Sequence, residues 1–76
     1  MVHAYIMTRT AAGASAETLG AIRQFDNVSE AHVVAGDFDI IAEVDAADVY
    51  AILHVASAEI QSLEGIIDTR TYVSLD

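Results

Sequence analysis

The stretch with the clearest potential for chemistry lies between two apolar runs, where two carboxylates stand two residues apart. Asp37 and Asp39 belong to the tetrapeptide Gly36–Asp39, which follows Val33–Ala35 and precedes Ile40–Val44. A carboxylate can bind an ammonium group, and the free backbone amides of a tight turn can bind a carboxylate. The pattern therefore fits a site for a small zwitterion, but the residues by themselves favour a plain turn in which Asp39 accepts a hydrogen bond from its own backbone.

Three histidines are the other side chains that could carry chemistry. His3 and His32 fall on predicted strands and His54 on a predicted helix, and no two of them have the i, i+4 spacing of a helical metal site. The chain has no cysteine, so a thiolate metal site is excluded. No arrangement of serine, histidine and aspartate indicates a nucleophile. We expect no catalytic residue, no metal and no cofactor, and we interpret the histidines as surface or interface residues.

The composition limits the partners of this chain. It has 76 residues, which predicts one domain over residues 1–76, and its net charge is −9, with 12 acidic residues against three arginines and no lysine. Binding to nucleic acid or to an anionic membrane requires many basic side chains, so both are disfavoured. No apolar run is long enough to cross a bilayer and no signal peptide is visible, so we expect a cytoplasmic protein. The acidic, lysine-free composition also suggests a halophilic source.

Hydrophobic periodicity predicts six elements in the order β-α-β-β-α-β. Ser15 is expected to cap the first helix and Asp45 the second, while Gly65 should end the second helix. The expected strands are Val2–Thr8, Val28–Ala35, Phe38–Val44 and Ile66–Leu75, and the first helix should run from Ser15 to about Phe25.

The turn between the second and third strands is expected to be a two-residue hairpin at Gly36 and Asp37, with Gly36 at positive φ. Two βαβ-like halves with right-handed crossovers predict an α+β, ferredoxin-like sandwich. Its four-stranded antiparallel sheet should have the strand order 4-1-3-2, with both helices on one face.

The alternation of the strands predicts a second, uncovered face that is rich in aromatic and apolar side chains. Tyrosine, methionine and arginine are enriched at protein interfaces, and such a patch on a small domain is unusual unless it is covered. We therefore expect a homodimer formed through this face rather than a solvated sheet surface. The expected interface residues are His3, Tyr5, Met7, Ile41, Glu43, Arg70 and Tyr72.

Three segments together resemble the effector-binding (RAM) domain of the Lrp/AsnC, or feast/famine, transcription regulators. They are Val28–Ala31 at the second strand, Gly36–Ile40 at the hairpin, and Leu63–Thr71 before and within the last strand. The resemblance implies a ferredoxin-type domain that dimerises through its sheet, with dimers that assemble further into rings such as octamers. It also implies an amino acid or similar small effector bound near the hairpin, with Gly36, Asp37, Phe38 and Asp39 at the rim and hydroxyls from Thr69 and Thr71.

The regulators of this family also carry a helix-turn-helix domain, whereas this chain begins directly with the first strand. By resemblance it looks like a stand-alone effector domain that influences full-length Lrp/AsnC regulators by joining them in mixed oligomers. Two other functions remain open. The same dimeric architecture carries small monooxygenase-like enzymes, and a purely structural oligomerisation module would share the interface but bind no effector.

Overall fold

The computed structural model describes all 76 residues, which have an α+β fold. Strand β1 is the longest of the four strands, and the second helix changes from α- to π-helical geometry near its middle. The elements are β1 (Val2–Thr10), α1 (Ser15–Ile22), β2 (Val28–Val33), β3 (Ile40–Ala46), α2 (Val49–His54), a π-helical segment (Val55–Ile60) and β4 (Ile66–Val73).

The four strands form one antiparallel sheet in the order β2-β3-β1-β4. This is the predicted order 4-1-3-2 counted from the opposite edge, so the predicted ferredoxin-like topology is confirmed. The long central strand β1 pairs with β3 on one side and with β4 on the other, with Thr8 opposite both Ile40 and Thr69. The pairing of β1 with β4 shifts register between Arg9 and Thr10.

Every second residue of the central strands is buried beneath the helices. Ala4, Ile6 and Thr8 of β1 are completely buried, whereas the residues between them face the opposite side of the sheet. The helical layer covers this side of the sheet with Ile22, Ile52, Val55, Ala56 and Ile60. The other side of the sheet, which we call the open face, has no element of the chain over it.

Both predicted helix caps are wrong, the first by one residue and the second by three. Ser15 is the first residue of α1 and Ala14 precedes it as the cap, while the Ser15 hydroxyl bonds the Thr10 hydroxyl at 2.9 Å. Asp48 caps α2 and accepts a hydrogen bond from the Ala51 amide at 2.9 Å. Asp45, the predicted cap, lies in β3, because that strand continues to Ala46.

The predicted two-residue hairpin is also wrong. The strands separate after the Val33–Ile40 pair, so the connection is a six-residue loop, Val34–Asp39, closed by a hydrogen bond from the Val34 amide to the Asp39 carbonyl at 2.8 Å. Gly36 does not have a positive φ. The wider loop needs no left-handed residue, so the conformational reason for a glycine at this position disappears.

Candidate functional site

The Val34–Asp39 loop is fixed at its end by the second of its two carboxylates. Asp39 Oδ2 accepts hydrogen bonds from the backbone amide of Thr10 at 2.8 Å and from the Thr10 hydroxyl at 3.2 Å. Asp39 therefore does not cap its own turn, because its partner lies 29 residues earlier, at the end of β1. The other carboxylate oxygen, Oδ1, makes no hydrogen bond within the chain.

Arg9 fixes the middle of the loop from the open face. Its Nε and Nη2 atoms donate to the carbonyl oxygen of Asp37 at 3.2 and 3.0 Å, and its guanidinium lies 4.9 Å from the centre of the Phe38 ring. A guanidinium over an aromatic ring is an attractive contact. Sequence reasoning did not identify Arg9, because its proximity to the loop depends on the pairing of β1 with β3.

The anchored loop leaves its own backbone donors unused. The amides of Ala35, Gly36, Asp37 and Phe38 make no hydrogen bond to another part of the chain, whereas those of Val34 and Asp39 are bonded. The Asp37 side chain is exposed beside these donors. Four neighbouring amides together with a carboxylate can hold the two charged ends of a small zwitterion, as the sequence suggested.

Within one chain, the two predicted threonines do not join this loop. Thr69 and Thr71 lie opposite Thr8 and Ile6 in the sheet, and residues paired in this way point to the same face, which here carries the helices. The side-chain amide of Gln61 donates through Nε2 to the Thr69 hydroxyl at 2.7 Å. The loop residues Asp37 and Phe38 instead contact Arg9 on the open face.

All seven residues predicted to form an interface lie on the open face. The register places Tyr5 between Glu43 and Tyr72, and Met7 between Ile41 and Arg70. Tyr5 is 40% exposed and Tyr72 55%, so both rings present apolar surface to solvent. His3 completes the set near the start of β1. A role for this face in dimerisation stays a prediction.

His3 lies in a cluster of acidic side chains that sequence reasoning missed. Its Nδ1 lies 2.6 Å from an Asp45 carboxylate oxygen, its Nε2 lies 3.0 Å from a Glu43 carboxylate oxygen, and its ring meets Tyr5 edge-on. Asp45 is directly opposite His3 across the β1–β3 pair. Asp45 and Glu43 lie 42 and 40 positions from His3 in the sequence, so the contacts of the imidazole with the two carboxylates depend on the register of β1 and β3.

This cluster favours the protonated form of the imidazole. The hydrogen bond to Asp45 is the main cause that raises the pKa of His3 above its ordinary value of 6.5, and Glu43 adds to it, while partial burial opposes it. The same hydrogen bond lowers the pKa of Asp45 below 3.8. Both ring nitrogens lie within hydrogen-bond distance of carboxylate oxygens, so this arrangement stabilises the imidazolium form of His3.

The other two histidines lie apart from His3 and from each other. His32 on β2 is 3.3 Å from a Glu30 carboxylate oxygen, and His54 on α2 is 4.0 Å from a Glu59 carboxylate oxygen. Each histidine is thus paired with its own acidic partner. No group of three or more histidine, cysteine or acidic side chains is arranged so that it could hold a metal ion. In the cluster around His3, the two ring nitrogens lie against the carboxylates of Asp45 and Glu43.

Comparison with protein families and comparison with curated proteins give matches to the same group of regulators. The family model of the Lrp/AsnC ligand binding domain matches residues 3–76. Among curated proteins, the leucine-responsive regulatory protein of Escherichia coli K12 is 32% identical over 56 residues, which are 74% of this chain and 34% of that protein. The chain thus spans about a third of the length of that regulator.

Solved structures share the fold over the whole chain. A protein from Thermus thermophilus is 29% identical, with a TM-score of 0.95, and the match covers 100% of this chain and 95% of that one. The AsnC protein of E. coli is 26% identical with a TM-score of 0.91, and the match covers 99% of this chain and 51% of AsnC. No helix of this chain is long and apolar enough to span a membrane.

Proposed function

This chain belongs to the Lrp/AsnC ligand-binding domain family, and we propose that it binds an amino acid or a similar small effector at the Val34–Asp39 loop. The free amides of the loop would bind the effector carboxylate. Its ammonium group would bind Asp37 and the unused oxygen of Asp39. The name of the related E. coli regulator, which is responsive to leucine, supports this class of ligand.

The proposal rests on one observation, which is that the chain has a glycine at position 36 without a structural need for it. Its φ is not positive, and a Cβ atom placed on it would meet nothing within 4 Å. Neither the backbone conformation nor the packing of this chain therefore requires a glycine here. Glycine also serves where a ligand or another chain approaches the backbone closely, and the four free amides around Gly36 are suited to such an approach.

The effector site would be completed by further copies of the chain. We propose that two copies dimerise through the open face, with His3, Tyr5, Met7, Ile41, Glu43, Arg70 and Tyr72 in the interface, and that dimers assemble into rings. The loop would then lie at the seam between copies. Because Thr69 and Thr71 face the helices of their own chain, their hydroxyls would reach a loop only from a neighbouring copy.

The proposed output is regulation by association. With three arginines and no lysine, the chain is poorly suited to bind DNA itself. It would act in the cytoplasm by joining full-length Lrp/AsnC regulators in mixed oligomers, so that the effector changes their assembly. A purely structural oligomerisation module would form the same dimer but would not respond to amino acids.

The test is thermal unfolding of the chain in the presence of each of the twenty amino acids. A ligand at 100 times its dissociation constant stabilises the folded state by about 2.7 kcal/mol, which is readily detected. Gly36→Ala should remove the response without lowering the melting temperature of the free chain. Gly20→Ala is the matched control, because Gly20 also has open space around its Cβ position but lies on α1, away from the loop.

The outcomes separate the candidate functions. A response that Gly36→Ala removes and Gly20→Ala retains supports the loop site. A response that survives Gly36→Ala places the ligand elsewhere. If none of the amino acids changes the melting temperature, the amino-acid effector is wrong and the structural module becomes the better description.

A further inference from the structure

We propose that the groove between α1 and the turn before β4 is a second binding site, which takes a small primary aliphatic amine as its ammonium ion. The groove has a volume of about 370 Å³ and is open to solvent. It shares no residue with the Val34–Asp39 loop, so this site goes beyond the proposed function. Its walls are Ala14, Glu17, Thr18 and Ala21 on one face of α1, and Leu63–Gly65 in the turn.

The close approach of the turn to α1 fixes the shape of the groove. The Ala11 amide donates to the Gly65 carbonyl at 2.7 Å, which ties the turn to the loop before α1. Gly65 has φ +88°, and a Cβ atom on it would lie 3.0 Å from the Ala14 Cβ and 3.4 Å from the Thr18 hydroxyl oxygen. The bare backbone of Gly65 therefore lies directly against α1, and the two walls of the groove are held at a fixed separation.

Thr18 places an unpartnered hydroxyl in the wall of the groove. The residue is only 3% exposed, and its hydroxyl makes no hydrogen bond within the chain. A hydroxyl in a helix commonly donates to the carbonyl one turn earlier, as the Ser57 hydroxyl does to Leu53 at 2.7 Å. Thr18 makes no such bond with Ala14, and a buried polar group without a partner is unfavourable. A ligand in the groove that bonds this hydroxyl removes that cost.

Two carboxylates line the same groove without a cation beside them. Glu17 lies in the first turn of α1 and Glu64 in the turn before β4, and neither takes part in an ion pair. No arginine or histidine lines the groove. A cleft lined by charge of one sign concentrates ligands of the opposite sign. The groove therefore attracts a cation and disfavours the free carboxylate of an amino acid, which is the ligand class proposed for the Val34–Asp39 loop.

The number of acceptors in the groove matches a primary ammonium group. Such a group has three N–H donors and no acceptor. Glu17 and Glu64 supply two carboxylates and Thr18 supplies a hydroxyl oxygen, so each donor has one acceptor. A metal ion is a poorer fit, because no three histidine or acidic side chains are arranged to hold one.

The remainder of the groove suits an aliphatic chain. Ala14, Ala21 and Leu63 are apolar, and Leu63 also packs against the core. Burial of methylene groups against such side chains adds to the affinity. The chain has no lysine, so a second copy cannot supply a lysine ammonium group to this groove. The ligand is therefore a free alkylamine.

Titration of the isotope-labelled chain with n-butylamine, followed by NMR at neutral pH and low ionic strength, tests the site. The amine is protonated under these conditions. Amide signals of residues 14–21 and 63–65 should shift, whereas those of the Val34–Asp39 loop should not. n-Butanol, which has no charge, should cause no shifts. Butyltrimethylammonium keeps the charge and the chain but has no N–H donor, so it should bind about tenfold or more weakly than n-butylammonium.

Two substitutions of nearly unchanged shape test the contacts. Thr18→Val and Glu64→Gln should each weaken the binding of n-butylammonium about tenfold, since each removes a bond to a charged group. Thr18→Val should leave the melting temperature unchanged or higher, because valine has no hydroxyl to leave unpaired. Asp26→Asn is the charge-matched control and should bind with native affinity, because Asp26 is an exposed turn residue after α1 that does not line the groove.

Three binding results would each overturn the site: n-butylammonium leaves the groove signals unmoved, butyltrimethylammonium binds as tightly, or Asp26→Asn weakens binding as much as Glu64→Gln. A lower melting temperature of Thr18→Val would also contradict the site, since it would show that the hydroxyl has a partner in the folded chain. Gly36→Ala should keep native affinity for n-butylammonium, so failure of the groove site leaves the loop site standing. Weakening confined to the Thr18 and Glu64 variants supports the groove as an amine site.

Discussion

The carboxylate of Asp39 holds the end of β1 through Thr10, by accepting from both its backbone amide and its hydroxyl at 2.8 and 3.2 Å. Thr10 is only 7% exposed, so the amide that Asp39 satisfies has little access to water. Asp39 thereby joins the candidate binding loop to the neighbouring central strand, and the shape of the loop depends on this pair.

Asp39→Ala should destabilise the fold. The change leaves the largely buried Thr10 amide without an acceptor, which costs about 1–3 kcal/mol. Chemical denaturation followed by circular dichroism measures the loss, and Asp37→Ala is the control, since the Asp37 side chain is exposed and makes no hydrogen bond within the chain. Equal stability of the two variants would contradict the role assigned to the Asp39 carboxylate.

Alanine at Gly65 should be destabilising, whereas alanine at Gly20 should be neutral or stabilising. Gly65 has φ +88°, and a Cβ there would approach the Ala14 Cβ to 3.0 Å, so both the backbone and the packing oppose a side chain. Gly20 lies within α1 with open space around it, and alanine there gains helix propensity worth up to about 1 kcal/mol. Melting temperatures that move in the same direction for both would contradict this distinction.

Stability should fall as the pH rises through the pKa of His3. A folded-state pKa above 6.5 gives a contribution that is complete below pH 6.5 and is lost as the pH rises through the raised value. The lowered pKa of Asp45 adds a contribution that is present above pH 3.8 and is lost in more acid solution. The contact between His3 and Asp45 therefore stabilises the fold most between pH 3.8 and pH 6.5.

His3→Gln is the variant that checks this dependence. It should flatten the decline in stability above pH 6.5, because glutamine does not titrate, and NMR titration of the imidazole in the native chain should give a pKa above 6.5. His32→Gln is the control on the same face. If the native and His3→Gln chains change equally above pH 6.5, another group is responsible.

The fold could be predicted from the sequence because its signals are local and repetitive. In the first strand, the alternation of apolar residues at Ala4 and Ile6 identifies one buried face. In the second helix, the four-residue spacing of Ile52, Ala56 and Ile60 identifies another. Right-handed crossovers then leave a single strand order. The seven predicted interface residues share a face for the same reason.

The site was less predictable, because its contacts join residues distant in sequence. The bonds of Asp39 to Thr10 and of Arg9 to Asp37 depend on the exact offset between β1 and β3, and sequence periodicity does not fix that offset. The predicted cap of the second helix was wrong for a different reason. Asp45 and Asp48 both precede the second helix, and only the length of β3 decides which of them is free to cap it.

The sheet also has two uncovered edges, β2 and β4, each with a row of backbone groups that could pair with another chain. Proline and lysine often protect such edges from uncontrolled aggregation, and this chain has neither. Its protection is the surplus of negative charge, including Glu30 on β2 and Asp68 on β4. Acidification towards the isoelectric point lowers the net negative charge of the chain. The repulsion that keeps the uncovered strand edges of two molecules apart is then weakened, although the apolar core contains no acidic group that this change would affect.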